Sequence, residues 1–237
     1  MFVYALLKSD ASGAIQYRVL DTAIGAALAF LGILIFWPSW ESAGMEKLIT
    51  ESIEANQEYL KEITHFYRKK NQVPTTYKLS RKRAFLAMGN LSAAFQRMTQ
   101  EPKSKQKNLD KIFEIAVLNH SILSSLASLG TYIQNNKTTT ASSHFHNYIL
   151  LIDSRLTRII EFLEEGNITK KIDLEHKDKA EAFFAERLDS FRINNKFKNT
   201  SGDRIQGLRE AQLVYEQLRW LLDLSTKLEK KIQKISF

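Results

Sequence analysis

Histidine is the side chain that serves most often as a general base and as a metal ligand, so the search for chemistry begins with His144 and His146. They stand two apart in a stretch that predicts a helix, which turns them to different faces, whereas a helical metal pair needs a spacing of about four. They read as structural histidines. The carboxylates give no better lead, since Glu164 and Glu165 read as the solvated end of the same helix. No glycine-rich phosphate loop and no nucleophile elbow occurs. The chain has no cysteine, which removes disulfides, thiolate metal sites and thiol nucleophiles together. The expectation is a protein that is not an enzyme and that uses no metal or cofactor.

Charge is the next candidate. The chain carries a formal net charge of +8 over 237 residues. Up to residue 40, Lys8 and Arg18 balance Asp10 and Asp21, so the whole excess lies beyond it. The sharpest run is from Ile63 to Gln100, which holds Arg68, Lys69, Lys70, Lys78, Arg81, Lys82, Arg83 and Arg97 and no acid. A solvated face is the commonest meaning of such a run, an anionic partner such as lipid the next, and nucleic acid the least favoured. A straight helix from 41 to 70 would carry Arg68, Lys69 and Lys70 about 45 Å from its start. Lipid contact therefore needs that helix to lie along a membrane.

A membrane enters because of what precedes this region. Between Asp21 and Glu41 lie nineteen uncharged residues, TAIGAALAFLGILIFWPSW. As a helix they cover about 28 Å, close to the roughly 30 Å of a hydrocarbon core. Residues 18–40 are therefore the expected transmembrane helix. Gly25, Ala29 and Gly32 place small side chains along one face, where another helix can approach closely in lipid. Arg18 and Asp21 mark one end and are spaced to pair. Trp37, Pro38 and Trp40 mark the other, because Trp favours the headgroup level and Pro ends regular helical bonding. Flanking charges do not decide orientation. The short apolar MFVYALL reads as a remnant of an earlier span, with a loop up to residue 17. On that reading the chain is a portion of a larger protein, and its partners are the bilayer and further transmembrane helices or other copies of itself.

From residue 41 to 237 the pattern is all-α. Only 9 glycines and 3 prolines punctuate the chain. Apolar residues recur at helical spacing in a first helix over 41–70 (Leu48, Ile49, Ile53, Leu60, Ile63, Tyr67). A second runs from Thr76 to about residue 100 (Ala84, Ala87, Met88, Leu91, Ala94, Phe95, Met98), stopped by Glu101 and Pro102. A third covers Asn108 to Gln134 (Ile112, Ile115, Leu118, Ile122, Leu126, Leu129), and a fourth covers Ser142 to Glu165, capped by Gly166. A linker over 166–175, a short helix over 180–191 and a polar loop NNKFKNTSGD lead to a last helix from Arg204 to Ile235. Its apolar set includes Leu208, Leu213, Leu218, Leu221, Leu224 and Leu228. Short connections predict an antiparallel helical bundle.

Two runs carry a resemblance to a known family. RVLDTAIGAALAFLGILIFWPSWE, Arg18 to Glu41, resembles the final span of a membrane half in FUSC (fusaric acid resistance-like) inner membrane proteins of the YccS type. RKRAFLAMGNLSAAFQRMTQEP, Arg81 to Pro102, is similar to a helix in the cytoplasmic domain that follows that span. The resemblance implies the C-terminal part of a bacterial inner-membrane transporter-family protein linked to efflux of aromatic carboxylic acids. Its helical domain would be cytoplasmic, with a regulatory or assembly role. It assigns no substrate residue here. The alternative is a single-span, membrane-anchored helical scaffold or sensor that binds a protein partner.

Overall fold

The computed structural model describes residues 11–36, 40–69, 73–135, 143–165 and 202–235, all as helix, turn or connecting chain, with no strand among them. The chain divides into two units, Met1–Trp40 and Glu41–Phe237.

In the first unit, α1 runs from Ala11 to Phe36. It begins seven residues before the expected span, so the segment 11–17 is helical and not a loop. The sequence ASGAIQY has one glycine and no proline to oppose this, and it continues directly into the apolar run. Ile15, Tyr17, Val19, Leu20, Ile24, Leu28, Phe30 and Leu31 are all exposed. At 100° per residue, Val19 and Phe30 lie on one side while Tyr17, Ile24 and Leu28 lie on the opposite one. The remaining sector carries Arg18, Asp21 and Thr22 and, further along, Gly25, Ala29 and Gly32. The expected remnant span and Lys8 to Asp10 lie outside the described residues, as do Trp37 and Pro38.

The second unit opens with a single 3-10 turn, Glu41–Ala43, in place of the first turn of one long helix. Gly44 donates its backbone N–H to Glu41 O at 3.0 Å, and α2 starts only at Met45 and ends at Lys69. Glycine is a poor helix residue, and both ends of Glu41 are held elsewhere: its N–H donates to Glu101 Oε1 and its carboxylate meets Arg97 Nε, each at 2.6 Å. There follow α3 (Thr75–Gln100), α4 (Leu109–Asn135), α5 (Ser143–Glu165) and α6 (Gly202–Ile232). Pro74, extended at φ −65° and ψ 150°, sets the start of α3, and Glu101 leaves the helical region just before Pro102. Asn108 takes φ 53° ahead of α4, a left-handed conformation that asparagine tolerates better than most side chains. The last helix stops three residues short of expectation, its end tightening into bonds from Lys234 N–H to Lys231 O and Ile235 N–H to Ile232 O. The expected linker and short helix between Gly166 and Ser201 lie outside the described residues.

The apolar stripes become the core. Ile49, Ile53, Leu60 and Ile63 of α2, Ala84, Leu91 and Met98 of α3, Ile112, Ile115 and Leu129 of α4, Ile152, Leu156 and Ile159 of α5, and Leu221 and Leu228 of α6 are almost fully buried. Leu213, expected with them, is exposed instead. Helix α2 packs on α3, α4 and α5, and α6 packs on α4 and α5. Along α2 and α3 the contacts run Ser52 with Met88, Glu58 with Arg83, Tyr59 with Tyr77 and Glu62 with Thr76. The partner numbers fall as those of α2 rise. Helix α4 is long and apolar enough to cross a membrane by length and composition, and half of its apolar window is buried in the unit. Packing on α2, α3 and α6 accounts for the buried half, while Phe113 and Val117 stay exposed.

Candidate functional site

The basic run that stood out in the sequence is divided by the fold. Arg68 is exposed near the end of α2, the side chain of Lys69 and all of Lys70 lie outside the described residues, and Lys78, Arg81, Lys82 and Arg83 are exposed on α3. They do not make one cluster. Arg83 turns toward α2 and pairs with Glu58 at 3.1 Å. The Arg81 guanidinium lies 5.8 Å from the centre of the Phe85 ring, a cation over an aromatic face. Among the described residues Lys78 and Lys82 meet no carboxylate. Leu79, Phe85 and Leu86 are 47%, 47% and 55% exposed. The outer side of α3 thus mixes unneutralised cations with large apolar side chains.

The residues expected to bound and pack the span are placed as follows. Arg18 and Asp21 are exposed on α1, and Thr22 donates its hydroxyl to Arg18 O at 2.8 Å. A Cβ added at Gly25 or Gly32 would meet nothing within 4 Å, so the small-residue strip with Ala29 is open along the helix. Trp40 is half-buried.

Three polar groupings lie inside the second unit that sequence reading passed over. Asn119, fully buried on α4, donates its amide to Ser52 Oγ at 2.6 Å and accepts from the Asn56 amide at 2.7 Å. Ser52 in turn points its hydroxyl at Met88 Sδ, 3.8 Å away. Asn56 Oδ1 has no partner. A second grouping joins Arg155 and Arg158 of α5 to Glu229 of α6, at 3.3 and 2.9 Å. Burial lowers the Arg155 pKa, and the Glu229 charge opposes that shift. In the third, the Tyr59 and Tyr77 hydroxyls meet at 3.2 Å against Gly130. Burial first, and then the Tyr77 hydrogen bond, hold the Tyr59 phenol well above its ordinary 10.0. One signal was available for the first two: Asn119 and Glu229 occupy apolar-stripe positions, between Ile115 and Ile122 and next to Leu228.

None of these arrangements combines a nucleophile, a base and an open cavity. Among the described residues no three of His, Asp and Glu converge as metal ligands would. The side chain of His144 lies outside the described residues, and His146 is half-buried with Nδ1 unpartnered. An open cleft of about 520 Å³ is lined by Ala127, Ser128, Thr131, Tyr132 and Asn135, with no carboxylate, histidine or cation.

No protein-family model matches the chain, and no solved structure matches it. Among curated proteins, an uncharacterized protein of Haemophilus influenzae is 26% identical over 162 residues, 68% of this chain and 23% of that protein. The uncharacterized protein ORF2 of Neisseria gonorrhoeae is 28% identical over 99 residues, 41% of this chain and 24% of that one. The matches span about a quarter or less of these relatives' own lengths. Over 115 residues, 48% of this chain and 16% of the relative, the chain is partially homologous, at 28% identity, to the inner membrane protein YccS of Escherichia coli.

Proposed function

We propose that this chain is the C-terminal part of an integral inner-membrane protein of the FUSC transporter type. In this reading α1 crosses the bilayer, and residues 41–237 form an antiparallel helical bundle on the cytoplasmic side, with a regulatory or assembly role and no catalysis. The observation that carries it is α1. Its described large apolar side chains are exposed around roughly 220° of the helix, and burying each Leu, Ile or Phe is worth about 1.5–3 kcal/mol. A hydrocarbon surround supplies that burial, and the backbone of a helix is internally satisfied there. The partial homology to an inner membrane protein supports the same location. The open strip at Gly25, Ala29 and Gly32 suits close packing by further transmembrane helices or a second copy. Aromatic acid efflux belongs to this proposal as the activity of the whole assembly, since a single apolar helix lines no aqueous path.

The test uses the absence of cysteine. Lys103 lies in an exposed turn, so Lys103→Cys gives one accessible thiol. The chain expressed in Escherichia coli is expected to resist alkaline carbonate extraction. Its thiol should react with a membrane-impermeant maleimide only after the cells are permeabilised. Extraction into the soluble fraction overturns the span, and labelling of intact cells overturns the orientation.

A further inference from the structure

We propose that the outer face of α3 is a docking surface for an anionic phospholipid bilayer. The proposal rests on the reading of α1 as a membrane span. The six residues that make the face are Lys78, Leu79, Arg81, Lys82, Phe85 and Leu86. At 100° per residue they fall within roughly 160° of the helix circumference, and all six are exposed. The buried stripe of Tyr77, Ala84, Leu91 and Met98 occupies the other side.

Cations alone are an ordinary solvated face, and apolar residues alone would fit a protein partner. Their mixture on one helix face fits a lipid interface, where phosphates meet the ammonium and guanidinium groups and the acyl boundary takes up Leu and Phe. Arg83 is the informative contrast. It stands at the edge nearest α2 and is neutralised by Glu58, whereas Lys78, Arg81 and Lys82 meet no carboxylate among the described residues. Phe85 lies beneath the Arg81 guanidinium, an amphipathic pair with its apolar part and its charge on the same side.

Connectivity ties the helix that carries this face to the start of the second unit. Glu41 follows α1 by only four residues, and it is bonded to Arg97 and Glu101 at the C-terminal end of α3. The helix that carries the face is therefore fastened at one end to the residue that leaves the apolar segment. If α3 lies along the surface, the face meets lipid without a separate bimolecular encounter.

Gly89 is the natural reporter position, because it lies within the face, is exposed, and a Cβ there meets nothing within 4 Å. The whole chain, as Gly89→Cys with a fluorescent label, is reconstituted in vesicles of phosphatidylcholine alone or mixed with phosphatidylglycerol, each holding a quencher on the lipid chains. The expected result is quenching that requires phosphatidylglycerol and weakens in Lys82→Gln and Lys78→Gln, about fivefold in the docked-to-undocked ratio per charge removed. Quenching in neither lipid, or equally in both, overturns the proposal. A label already shielded in nonionic detergent overturns it as well, because protein then covers the face. A label at Ala27→Cys, within α1, separates the two readings. Quenching there in both lipids with none at Gly89 rejects the docking face alone, and its absence overturns the span.

Discussion

The hydroxyl of Tyr59 lies 3.2 Å from that of Tyr77, and the backbone of Gly130 on α4 closes over the pair so tightly that there is no room for a methyl group. Three helices meet at this point through two phenols and one missing side chain. A Cβ on Gly130 would overlap the Tyr77 hydroxyl and stand 3.0 Å from that of Tyr59. Gly130→Ala is therefore expected to lower stability by about 1–3 kcal/mol in spite of its better helix propensity. Thermal unfolding followed by circular dichroism measures the loss. Adding Tyr77→Phe should restore part of it, and full retention of stability in the single variant would contradict the packing described.

The same pair sets a limit at high pH. A phenol held above its ordinary 10.0 keeps its proton in the folded protein after the unfolded chain has released it. The native state then binds more protons than the unfolded one, so stability falls as pH rises. This contribution is complete below pH 10 and is lost progressively above it. Unfolding midpoints measured from pH 8 to 11 should drop at the alkaline end, and Tyr59→Phe should flatten the drop relative to the parent.

Asn119 joins α4 to α2 through Ser52 and Asn56 in a place closed to water. Asn119→Ala leaves the Asn56 amide without its best acceptor and is expected to cost about 1–3 kcal/mol. Replacing the whole group, as Ser52→Ala with Asn56→Leu and Asn119→Leu, should cost less than the sum of the single changes. A denaturant-based mutant cycle gives the comparison, and strict additivity would show that the three side chains act independently.

Glu229 is the shared counter-charge of Arg155 and Arg158. Glu229→Ala should destabilise by about 3–5 kcal/mol, because two largely buried guanidinium groups then face each other without an anion. The variant with Arg155→Met and Arg158→Leu added should recover most of that loss. Chemical denaturation of the three proteins decides it.

Residues 41–237 have a core of their own, from Met45 to Ile235. Cut before Glu41, this unit is expected to remain helical and monodisperse without detergent. A coil spectrum, or an aggregate that only detergent disperses, would contradict the independence of that core.

The helices were legible in the sequence because burial on a helix repeats at 3.6 residues, and Ile49, Leu91, Ile115, Ile152 and Leu221 fall on that period and in the core. Leu213 follows the period and is exposed, since periodicity marks a face without saying whether another element covers it. The cations were legible as a run but not as a surface. Linear order placed Arg83 beside Lys82, while the helix turns one toward Glu58 and the other outward. The buried polar groups were the hardest to read. Asn119 and Glu229 sit where the apolar stripe leads one to expect Leu, and their partners are on other helices, 63 to 67 positions away for Asn119 and 74 for the Arg155 bond. A pattern local to one helix contains no record of such a partner.

The Asn119 to Ser52 bond also constrains the register of α4 on α2. Tyr59 and Tyr77 close a loop of 18 residues, whereas Asn119 must return across 67 to reach Ser52. Closure entropy favours the α2 and α3 pair, and equally the α3 and α4 pair that meets at Phe95 and Phe113, over the direct bond between α2 and α4. An α4 that arrives one turn out of register carries Asn119 into an apolar wall with its amide unanswered, a penalty that leucine at the same position would not impose. The buried asparagine therefore disfavours any register of α4 in which Ser52 and Asn56 are out of its reach.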